Sequence, residues 1–350
     1  MNTLKKITLL ATLLILLTSI FIDSNKNNVY TASQVSTSKQ IKAAVIFYTF
    51  DDPYLSLVRK SLEAIENKPG SNVNYTFYSG QRNQDTQNEI IDSVVDNNYD
   101  ILLVNFVSLD KNTIQSTINK VKQKNIPIIV FNALPFTVEP IKSYNKAIII
   151  ASNAKQAGTL EGNSIITEWN SNKNIMDKNG DGILQYYMLK GPANNTDTVE
   201  RSRYSISTLN DAGIETQEVI SIFCNWDEKC AEDYTDSLFL GYGNKIEAII
   251  SNNDAMAIGA IKALQKYGYN NDDKSKHIPT FGIDGIPEAI ELIKKGIMDG
   301  TVFQDPNELA EAIYTVGNNL VYNLNPLENT NYKFDETGVA IELPFHEYKR

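Results

Sequence analysis

Polar side chains recur at one kind of position in this sequence, directly after short runs of β-branched and apolar residues. The positions are Asp51-Asp52-Pro53-Tyr54, Asn105, the segment 191–201 with Asn195, Asp197 and Arg201, then Asn252-Asn253-Asp254, and Asp284. Carboxylates, amides and a guanidinium make paired hydrogen bonds to neighbouring hydroxyl groups. Aromatic rings, here Tyr54 and Trp226, cover the C–H faces of a pyranose. The set therefore predicts a site for a sugar.

Each of these residues also has a purely structural interpretation. Asp or Asn before a helix is a favoured N-cap, and Pro53 stands where a first-turn proline is expected. For Trp226 alone, packing in a core is the better interpretation. The functional interpretation therefore depends on the whole set and not on any single member.

The segment 177–185 is the sharpest local motif. It matches an EF-hand loop at positions one, three, five and six, which are Asp177, Asn179, Asp181 and Gly182. Oxygens on alternate residues can surround a hard cation, with the carbonyl of Ile183 and the amide of Gln185 as further ligands. Position twelve is Met188, so the usual glutamate is absent there. A turn rich in Asn, Gly and Asp is the alternative.

The elements that must position these residues alternate between strands and helices. The expected strands are Ala43-Tyr48, Val73-Tyr78, Ile101-Val104, Ile126-Phe131, Ala147-Ala151, Leu184-Leu189, Thr216-Phe223, Ala248-Ser251, Ile278-Gly282 and Gly300-Phe303. Most are separated by segments of helical period, such as 53–67. Strands that are apolar throughout predict parallel sheets covered on both faces. We expect an α/β protein with two doubly wound lobes, whose ligand lies at the carboxyl ends of the strands.

Length and composition agree with a folded protein of two domains. The chain has 350 residues, with 42% hydrophobic and 21% charged residues, which is unlike a disordered chain. At roughly 150 residues per domain, two domains are expected. The net charge of −10 excludes a nucleic-acid binder that acts through overall positive charge.

The first 33 residues have the pattern of a signal peptide, with a retained anchor as the alternative. Two lysines precede an uncharged, mostly apolar run over 7–22. This run is shorter than the roughly 20 residues of a spanning helix, and no cysteine near its end could carry a lipid. We expect a linker over 34–40 and an extracytoplasmic protein that is secreted, on the cell surface or in the periplasm.

These residues together resemble the periplasmic galactose/glucose-binding proteins of sugar ABC importers, over nearly the whole chain after the leader. The stretches that keep that family's order are Asp51-Asp52, Val58-Arg59-Lys60, 177–185, Leu189-Lys190-Gly191, Lys245-Ile246-Glu247, 252–257, 281–284 and Pro287-Glu288-Ala289. The resemblance implies a type I periplasmic binding protein, whose lobes are joined by three strands near 126–132, 303–306 and 340–343. The expected N-terminal lobe is 41–127 with 306–341, and the C-terminal lobe is 128–305 with 342–350.

The resemblance also implies roles for single residues. Hydrogen bonds to the sugar are expected from Asp52, Asn105, Asp197, Arg201, Asn253 and Asp284, with Tyr54 and Trp226 on the two faces of its ring. Glu247 is expected to supply the bidentate carboxylate that the 177–185 loop lacks, which would complete a structural Ca²⁺ site. The expected partners are the membrane subunits of an ABC permease and also a chemoreceptor, and the protein is expected to be a monomer.

Three departures from that family concern specificity. Asn195 stands where the family has a histidine, Gln304 where it has an asparagine at a hinge strand, and Tyr54 where it has a phenylalanine. A site built to pair with a hydroxyl strongly rejects a sugar that lacks it. The class of ligand is therefore unchanged, whereas the preferred hexose stays open.

Cys224 and Cys230 flank Trp226, six positions apart. An even pair in an exported chain favours a disulfide, which would brace the loop that carries the tryptophan. A helix expected to begin near Asp227 leaves free thiols as the alternative.

These expectations describe a non-catalytic receptor that closes over D-galactose or D-glucose. An NAD-dependent enzyme would need a glycine fingerprint where 50–54 stands, and no catalytic triad is evident. A sugar-responsive repressor would begin with a helix-turn-helix instead of a leader. The remaining alternative is a surface sensor for another small sugar that feeds a chemoreceptor or a histidine kinase.

Overall fold

The computed structural model describes residues 39–271 and 273–348. The expected leader, 1–33, lies outside the described residues, and only Lys39 and Gln40 of the expected linker are described. Within these ranges, no helix has both the length and the apolar composition that a membrane crossing requires.

The first sheet takes five strands from the N-terminal part of the chain and one from near the C-terminus. They are β1 (Ile41–Phe47), β2 (Val73–Ser79), β3 (Ile101–Val104), β4 (Ile128–Asn132), β5 (Ala147–Ser152) and β11 (Ala340–Leu343). All neighbours run parallel, in the order β11-β5-β4-β3-β1-β2. The carboxyl ends of β1 to β5 therefore share one edge.

The second sheet is built from the middle of the chain. Its strands are β6 (Ile183–Lys190), β7 (Glu215–Phe223), β8 (Ala248–Ser251), β9 (Thr280–Asp284), β10 (Gly300–Phe303) and β12 (His346–Glu347). The order is β12-β10-β9-β8-β6-β7, and the short edge strand β12 is antiparallel to β10. The ten strands expected from the sequence are thus present, with ends shifted by a few residues at most.

Helices connect the strands and cover the sheets. They are α1 (Pro53–Glu66), α2 (Gln84–Asp96), α3 (Lys111–Gln123), α4 (Glu139–Lys142), α5 (Ala154–Ser171), α6 (Lys173–Met176), α7 (Thr196–Asp211), α8 (Glu228–Tyr242), α9 (Asp254–Lys266), α10 (Pro287–Lys294) and α11 (Pro306–Val321). Short 3₁₀ helices span Gly243–Lys245 and Lys274–Lys276. The predicted class, two α/β lobes with parallel sheets, is confirmed.

The predicted boundary between the lobes at residues 127 and 128 is wrong. β4 and β5 pair with β3 and with each other, so the first lobe consists of 39–152 and 306–343, and the second lobe of 153–305 and 344–348. The chain crosses between the lobes after β5, after β10 and after β11. β4 is as apolar as any central strand, and for that reason its composition did not show which lobe it joins.

The strands form because their residues suit burial on both faces of a parallel sheet. β5 reads Ala-Ile-Ile-Ile-Ala-Ser, and all six residues are buried. The side chains of the first sheet alternate between two cores, with Ile129 in one and Ile128 in the other. Such strands need helices on both faces, which explains the alternation seen in the sequence.

Two glycines allow α5 to approach α7 closely. A Cβ at Gly158 would lie 2.6 Å from the carbonyl oxygen of Arg201 and 3.0 Å from Cβ of Tyr204. A Cβ at Gly162 would lie 2.8 Å from the carbonyl oxygen of Ser205. These distances are shorter than ordinary van der Waals contacts, so a larger residue at either position would push the two helices apart. The position of α7, and of the predicted site residue Arg201 on it, therefore depends on these glycines.

We predict that Gly158→Ala destabilises the protein by about 1–3 kcal/mol, because the added methyl group meets backbone atoms that cannot move aside. Thermal unfolding measures the effect. The matched control is Gly241→Ala in α8, where a Cβ meets nothing within 4 Å. There, the better helix propensity of alanine is expected to stabilise by up to ~1 kcal/mol. Equal effects at both positions would contradict the packing described.

Candidate functional site

A cleft lies between the lobes, at the carboxyl ends of the strands of both sheets. Its lining includes all ten residues that the sequence predicted to contact the ligand: Asp52, Tyr54, Asn105, Asn195, Asp197, Arg201, Trp226, Asn253, Asp284 and Gln304. The free space inside the cleft is ≈ 70 Å³, which is less than the ~300–1,000 Å³ typical of sites for drug-sized ligands. Folding therefore brings together residues that are dispersed from 52 to 304.

Asp52 combines the two roles that the sequence left as alternatives. Its Oδ1 accepts a hydrogen bond from the amide of Leu55 at 2.9 Å, which caps α1. Its Oδ2 accepts from the hydroxyl of Tyr48 at 2.7 Å. Because both bonds hold the side chain, the carboxylate has one defined orientation in the cleft lining.

Asn195 and Asn253 are also caps and lining residues at once. Oδ1 of Asn195 accepts from the amide of Asp197 at 2.8 Å, at the start of α7. Oδ1 of Asn253 accepts from the amide of Met256 at 3.0 Å, at the start of α9. Since the caps use the oxygens, these two side chains can offer mainly N–H donors to a ligand.

Arg201 is a buried cation in the second lobe, with 4% of its side chain exposed. Its Nη1 donates to the carbonyl oxygen of Asn252 at 2.8 Å and lies 3.4 Å from Oδ1 of Asp284. Its Nη2 lies 3.5 Å from Oδ2 of Asp197. The guanidinium thus organises both carboxylates, and it stands 5.6 Å from the ring centre of Trp226.

Asp284 has a strained backbone at the end of β9. Its φ is 127°, in a region that non-glycine residues seldom adopt. The turn that follows is held by the buried carboxylate of Asp254, whose Oδ2 accepts from the amides of Gly285 at 2.7 Å and Ile286 at 2.9 Å. The hydroxyl of Thr301 donates to the other oxygen of Asp254 at 2.7 Å. Asp254 is therefore a support for Asp284.

Two aromatic residues line the cleft, one from each lobe. Tyr54 comes from α1 and is 3% exposed, and its hydroxyl is buried without a hydrogen-bond partner among the described residues. Trp226 comes from the loop before α8. A Cβ on Gly191 would lie 2.4 Å from the indole ring, so only glycine at 191 leaves room for it. The Tyr54 hydroxyl is a polar group that a ligand could satisfy.

Asn105 and Gln304 are fixed by backbone and hinge contacts. Nδ2 of Asn105 donates to the carbonyl oxygen of Phe131 at 3.2 Å. Nε2 of Gln304 donates to Oδ1 of Asn132 at 3.2 Å and to Oγ of Ser152 at 3.0 Å. Gln304 thereby joins the ends of β4 and β5 to the segment after β10, where the chain passes between lobes.

Several lining residues were missed by sequence reasoning. They are Tyr48, Phe106, Val107, Asn132, Ala133 and Pro192. Tyr48 and Asn132 stand at the carboxyl ends of β1 and β4, which is the position that identified the other residues. Asn132 was overlooked because β4 was interpreted as a link between the lobes.

The two lobes are in contact across the cleft. Oγ1 of Thr196 in the second lobe donates to the carbonyl oxygen of Leu134 in the first lobe at 2.5 Å. The guanidinium of Arg82 in the first lobe lies 3.4 Å from Oδ2 of Asp227 in the second. The structure is therefore a closed form.

Cys224 and Cys230 form a disulfide, with their Cα atoms 5.4 Å apart. The prediction from the even pair is confirmed. The bridge closes the loop that carries Trp226, and the expected helix, α8, begins inside that loop.

Burial raises the pKa values of the acids around Arg201. The pKa of Asp197 rises to about 6, although the nearby guanidinium acts in the opposite direction. Burial likewise raises the pKa of Asp254 to about 6 and the pKa of Asp284 well above its usual value. Burial also raises the pKa of Glu161, on α5, well above its usual value, although the Arg201 guanidinium and hydrogen-bond donors at Ser251 and Ser205 act in the opposite direction.

The 177–185 loop precedes and enters β6, and its polar side chains are joined by hydrogen bonds to one another and to Glu247. Oε1 of Glu247 accepts from the amide of Lys178 at 2.6 Å, and its Oε2 accepts from the amide of Gln185 at 3.1 Å. Oδ2 of Asp181 accepts from Nδ2 of Asn179 and from Nε2 of Gln185, each at 2.9 Å. Glu247 thus lies beside the loop.

The loop carries oxygen atoms of the kind that a hard cation prefers. Oδ1 of Asp177 is buried and has no hydrogen-bond partner in the described part of the chain. The amide of Ile183 donates to Oδ1 of Asp181 at 2.8 Å, so the loop turns tightly around its oxygens. Residues 39–271 and 273–348 hold no compact group of three His, Cys, Asp or Glu side chains, and a site here would also depend on amide and carbonyl oxygens.

Two α/β lobes that close over a polar cleft with an aromatic residue from each side define a two-lobed solute-binding protein. A family model described as a periplasmic binding protein domain matches residues 43–323. The D-galactose/methyl-galactoside binding periplasmic protein MglB of Haemophilus influenzae is 32% identical over 311 residues, which cover 89% of this chain and 90% of that protein.

Solved structures share the fold at lower identity. An ABC transporter solute-binding protein of Bacillus halodurans with bound myo-inositol has a TM-score of 0.69 at 20% identity, over 88% of this chain and 94% of that one. A protein of the same type from Actinobacillus succinogenes with bound D-allose has a TM-score of 0.68 at 18% identity, over 87% of this chain and 96% of that one.

The chain therefore belongs to the family of periplasmic sugar-binding proteins. This confirms the resemblance found in the sequence and implies an extracytoplasmic location. The relatives named above are binding proteins, and the protein is accordingly not an enzyme.

We predict that the protein loses stability as the pH rises from about 4 to about 6. The folded form keeps protons on Asp197 and Asp254 up to about pH 6, whereas unfolded aspartates release theirs near ~3.9. Because the folded state binds more protons in this window, stability falls as the pH increases through it. Thermal unfolding in a pH series measures the slope.

The variant Glu161→Gln tests the same effect at one residue. Because an amide does not titrate, replacing this buried carboxyl group is expected to stabilise the protein at pH 7 and to flatten the slope. Glu215→Gln, at an exposed position at the start of β7, is the control and should leave the slope unchanged. A wild-type profile that rises across pH 4–6 would contradict the prediction.

Proposed function

We propose that the protein binds a monosaccharide, D-galactose or D-glucose, and delivers it to an ABC permease by closure of its two lobes. The observation that carries the proposal is the composition of the cleft. Carboxylates, amides and a buried guanidinium line one space with two aromatic rings. Sugar hydroxyls donate and accept at the edge of the ring, and its C–H faces pack on aromatic groups.

The relatives support the class of ligand. The Haemophilus influenzae protein is described as binding galactose and methyl-galactoside. The two solved structures hold a cyclic polyol and a hexose. All of these ligands present a ring with several hydroxyl groups, which matches the donors and acceptors of this cleft.

Closure follows from the division of the site between the lobes. Asp52, Tyr54 and Asn105 belong to the first lobe, whereas Arg201 and Asp284 belong to the second. A ligand that bonds to both sets can do so only when the lobes meet, so it stabilises the closed form over the open one. No bond is made or broken, and the ligand leaves unchanged when the lobes part.

Residues that depart from the family pattern bear on the preferred hexose. Gln304 uses two N–H groups at the hinge, so its carbonyl oxygen is the group left for a hydroxyl donor. Asn195 uses its oxygen as a helix cap, which leaves its N–H groups for a hydroxyl acceptor. The buried Tyr54 hydroxyl adds a hydrogen-bonding group that a phenylalanine would lack.

The closed form is the state that a permease would recognise. Closure brings surfaces of both lobes into one fixed arrangement, which the open form lacks. A chemoreceptor could use the same surface. The protein is proposed to act as a monomer, since each chain carries a complete cleft.

We also propose that the 177–185 loop holds a structural Ca²⁺. The carboxylates of Asp177, Asp181 and Glu247 would bind it, with the side-chain oxygens of Asn179 and Gln185 and the carbonyl of Ile183. The support is the unpartnered buried oxygen of Asp177 and the position of Glu247 at the loop. Ca²⁺ prefers six to eight such oxygens, and bound there it would join α6, β6 and β8.

Titration calorimetry with D-galactose and D-glucose tests sugar binding, and fluorescence locates it. Of the two tryptophans, Trp226 lines the cleft and Trp169 lies in the core of the second lobe. Sugar is expected to change the fluorescence of wild type and of Trp169→Phe, but not of Trp226→Phe. Trp226→Ala should bind about tenfold more weakly, since a stacked ring contributes ~0.5–1.5 kcal/mol beyond its buried area. Absence of heat and of a melting shift with both hexoses would refute the proposal.

Chelation tests the metal site. EGTA is expected to lower the melting temperature, and CaCl₂ should restore it, because a ligand at 100 times its dissociation constant adds ~2.7 kcal/mol. Sugar binding should persist in EGTA at low temperature. Asp181→Asn should weaken the calcium response, whereas Asp211→Asn, at the exposed end of α7, should not. If neither EGTA nor CaCl₂ changes the melting temperature, the proposal of a Ca²⁺ site is wrong and the loop is only a turn.

A further inference from the structure

The segment between the two cysteines, 224–230, forms a short loop closed by the disulfide, called here the disulfide loop. Two consecutive residues in it, Asn225 and Trp226, have positive φ angles of 52° and 67°. Left-handed backbone is unfavourable for a bulky residue such as tryptophan and persists only where the surroundings impose it. The conformation of this loop is therefore maintained by its contacts and by its covalent closure.

The loop directs the indole of Trp226 into the cleft. The ring lies against Gly191, where any side chain would collide with it. The carbonyl oxygen of Trp226 accepts from Nδ2 of Asn253 at 3.4 Å. The backbone turn at Asn225 and Trp226 thus determines where the ring stands among the other lining residues.

The same loop is one of the places where the first lobe contacts the second. Nη1 of Arg82 donates to the carbonyl oxygen of Asn225 at 3.2 Å, and Nη2 lies 3.4 Å from Oδ2 of Asp227. The guanidinium also stands 5.6 Å from the ring centre of Tyr48, whose hydroxyl bonds to Asp52. A continuous set of contacts therefore runs from the cleft residue Asp52 to the loop that carries Trp226.

Asp227 connects this contact to the second lobe. Its Oδ1 accepts from the amide of Cys230 at 2.8 Å and caps α8, while its Oδ2 faces Arg82. Its own amide donates to the carbonyl oxygen of Cys224 at 2.9 Å. Asp227 is therefore hydrogen-bonded to both cysteines of the disulfide.

We propose that the disulfide loop is a positioning element that couples closure of the lobes to the seating of Trp226 on the ligand. Cys224, Cys230 and Arg82 are positioning residues, and none of them lines the cleft. The disulfide keeps Asn225 and Trp226 in left-handed backbone, which presents a carbonyl oxygen to Arg82 and the indole to the cleft together. Without the disulfide, the loop can leave the left-handed conformation. The contact with Arg82 and the position of the indole in the cleft are then lost together. The coupling to ligand affinity rests on the proposed sugar function.

The test compares Arg82→Gln in two backgrounds, wild type and Cys224→Ala/Cys230→Ala, by calorimetry and stopped-flow fluorescence with D-galactose and D-glucose. The double alanine variant is expected to bind about tenfold more weakly, mainly through faster dissociation. Arg82→Gln should weaken binding about fivefold in wild type and hardly at all without the disulfide. Ile114→Val, in the core of the first lobe, controls for lowered stability and should leave the affinity unchanged.

Hydrogen exchange of the ligand-free protein tests the role of the disulfide loop even if the proposed sugar function is wrong, because the measurement needs no ligand. Amides of 225–230 should exchange faster in Arg82→Gln and in the double alanine variant, whether or not a sugar binds. Because Arg82 is partly exposed, Arg82→Gln is expected to fold. It therefore still tests the proposal if the double alanine variant does not fold. Unchanged exchange, or an equal effect of Arg82→Gln on affinity in both backgrounds, would overturn the proposal.

Discussion

The buried guanidinium of Arg201 is the group on which the ligand site depends. A charge removed from water is costly unless it is paired and hydrogen-bonded. The Nη atoms of Arg201 meet this requirement with the carbonyl oxygen of Asn252 and the carboxylates of Asp197 and Asp284, whereas its Nε has no hydrogen-bond partner among the described residues. The partners come from α7 and from the ends of β8 and β9. Satisfying one cation therefore determines where two carboxylates of the cleft stand. The close packing of α5 on α7 at Gly158 keeps Arg201 in its buried position.

Helix capping and ligand binding use the same residues because of the geometry of the α/β lobe. Each helix that follows a parallel strand begins at the carboxyl edge of its sheet, which is also where the cleft lies. A residue that caps such a helix can therefore also face the cleft, as Asp52, Asn195 and Asn253 do. The cap consumes one polar atom and immobilises the others, so the site is organised before a ligand arrives.

The hinge is part of the site. Gln304 binds Asn132 and Ser152, at the ends of two strands of the first lobe, and it also lines the cleft. A contact between a ligand and Gln304 would therefore act directly on the segment about which the lobes move. The disulfide loop is a second element at which the lobes meet, through the contacts of Arg82 with Asn225 and Asp227.

The sequence by itself determined the alternation of buried strands and amphipathic helices, the polar residues at strand ends and the oxygen-rich loop at 177–185. These features are local: periodicity, capping and composition are properties of neighbouring residues. Only the tertiary structure decided that β4 and β5 belong to the first lobe, that Tyr48 and Asn132 line the cleft, and that Arg82 reaches the disulfide loop. Each of these depends on which distant segments pair, and a buried parallel strand has the same apolar sequence in either sheet.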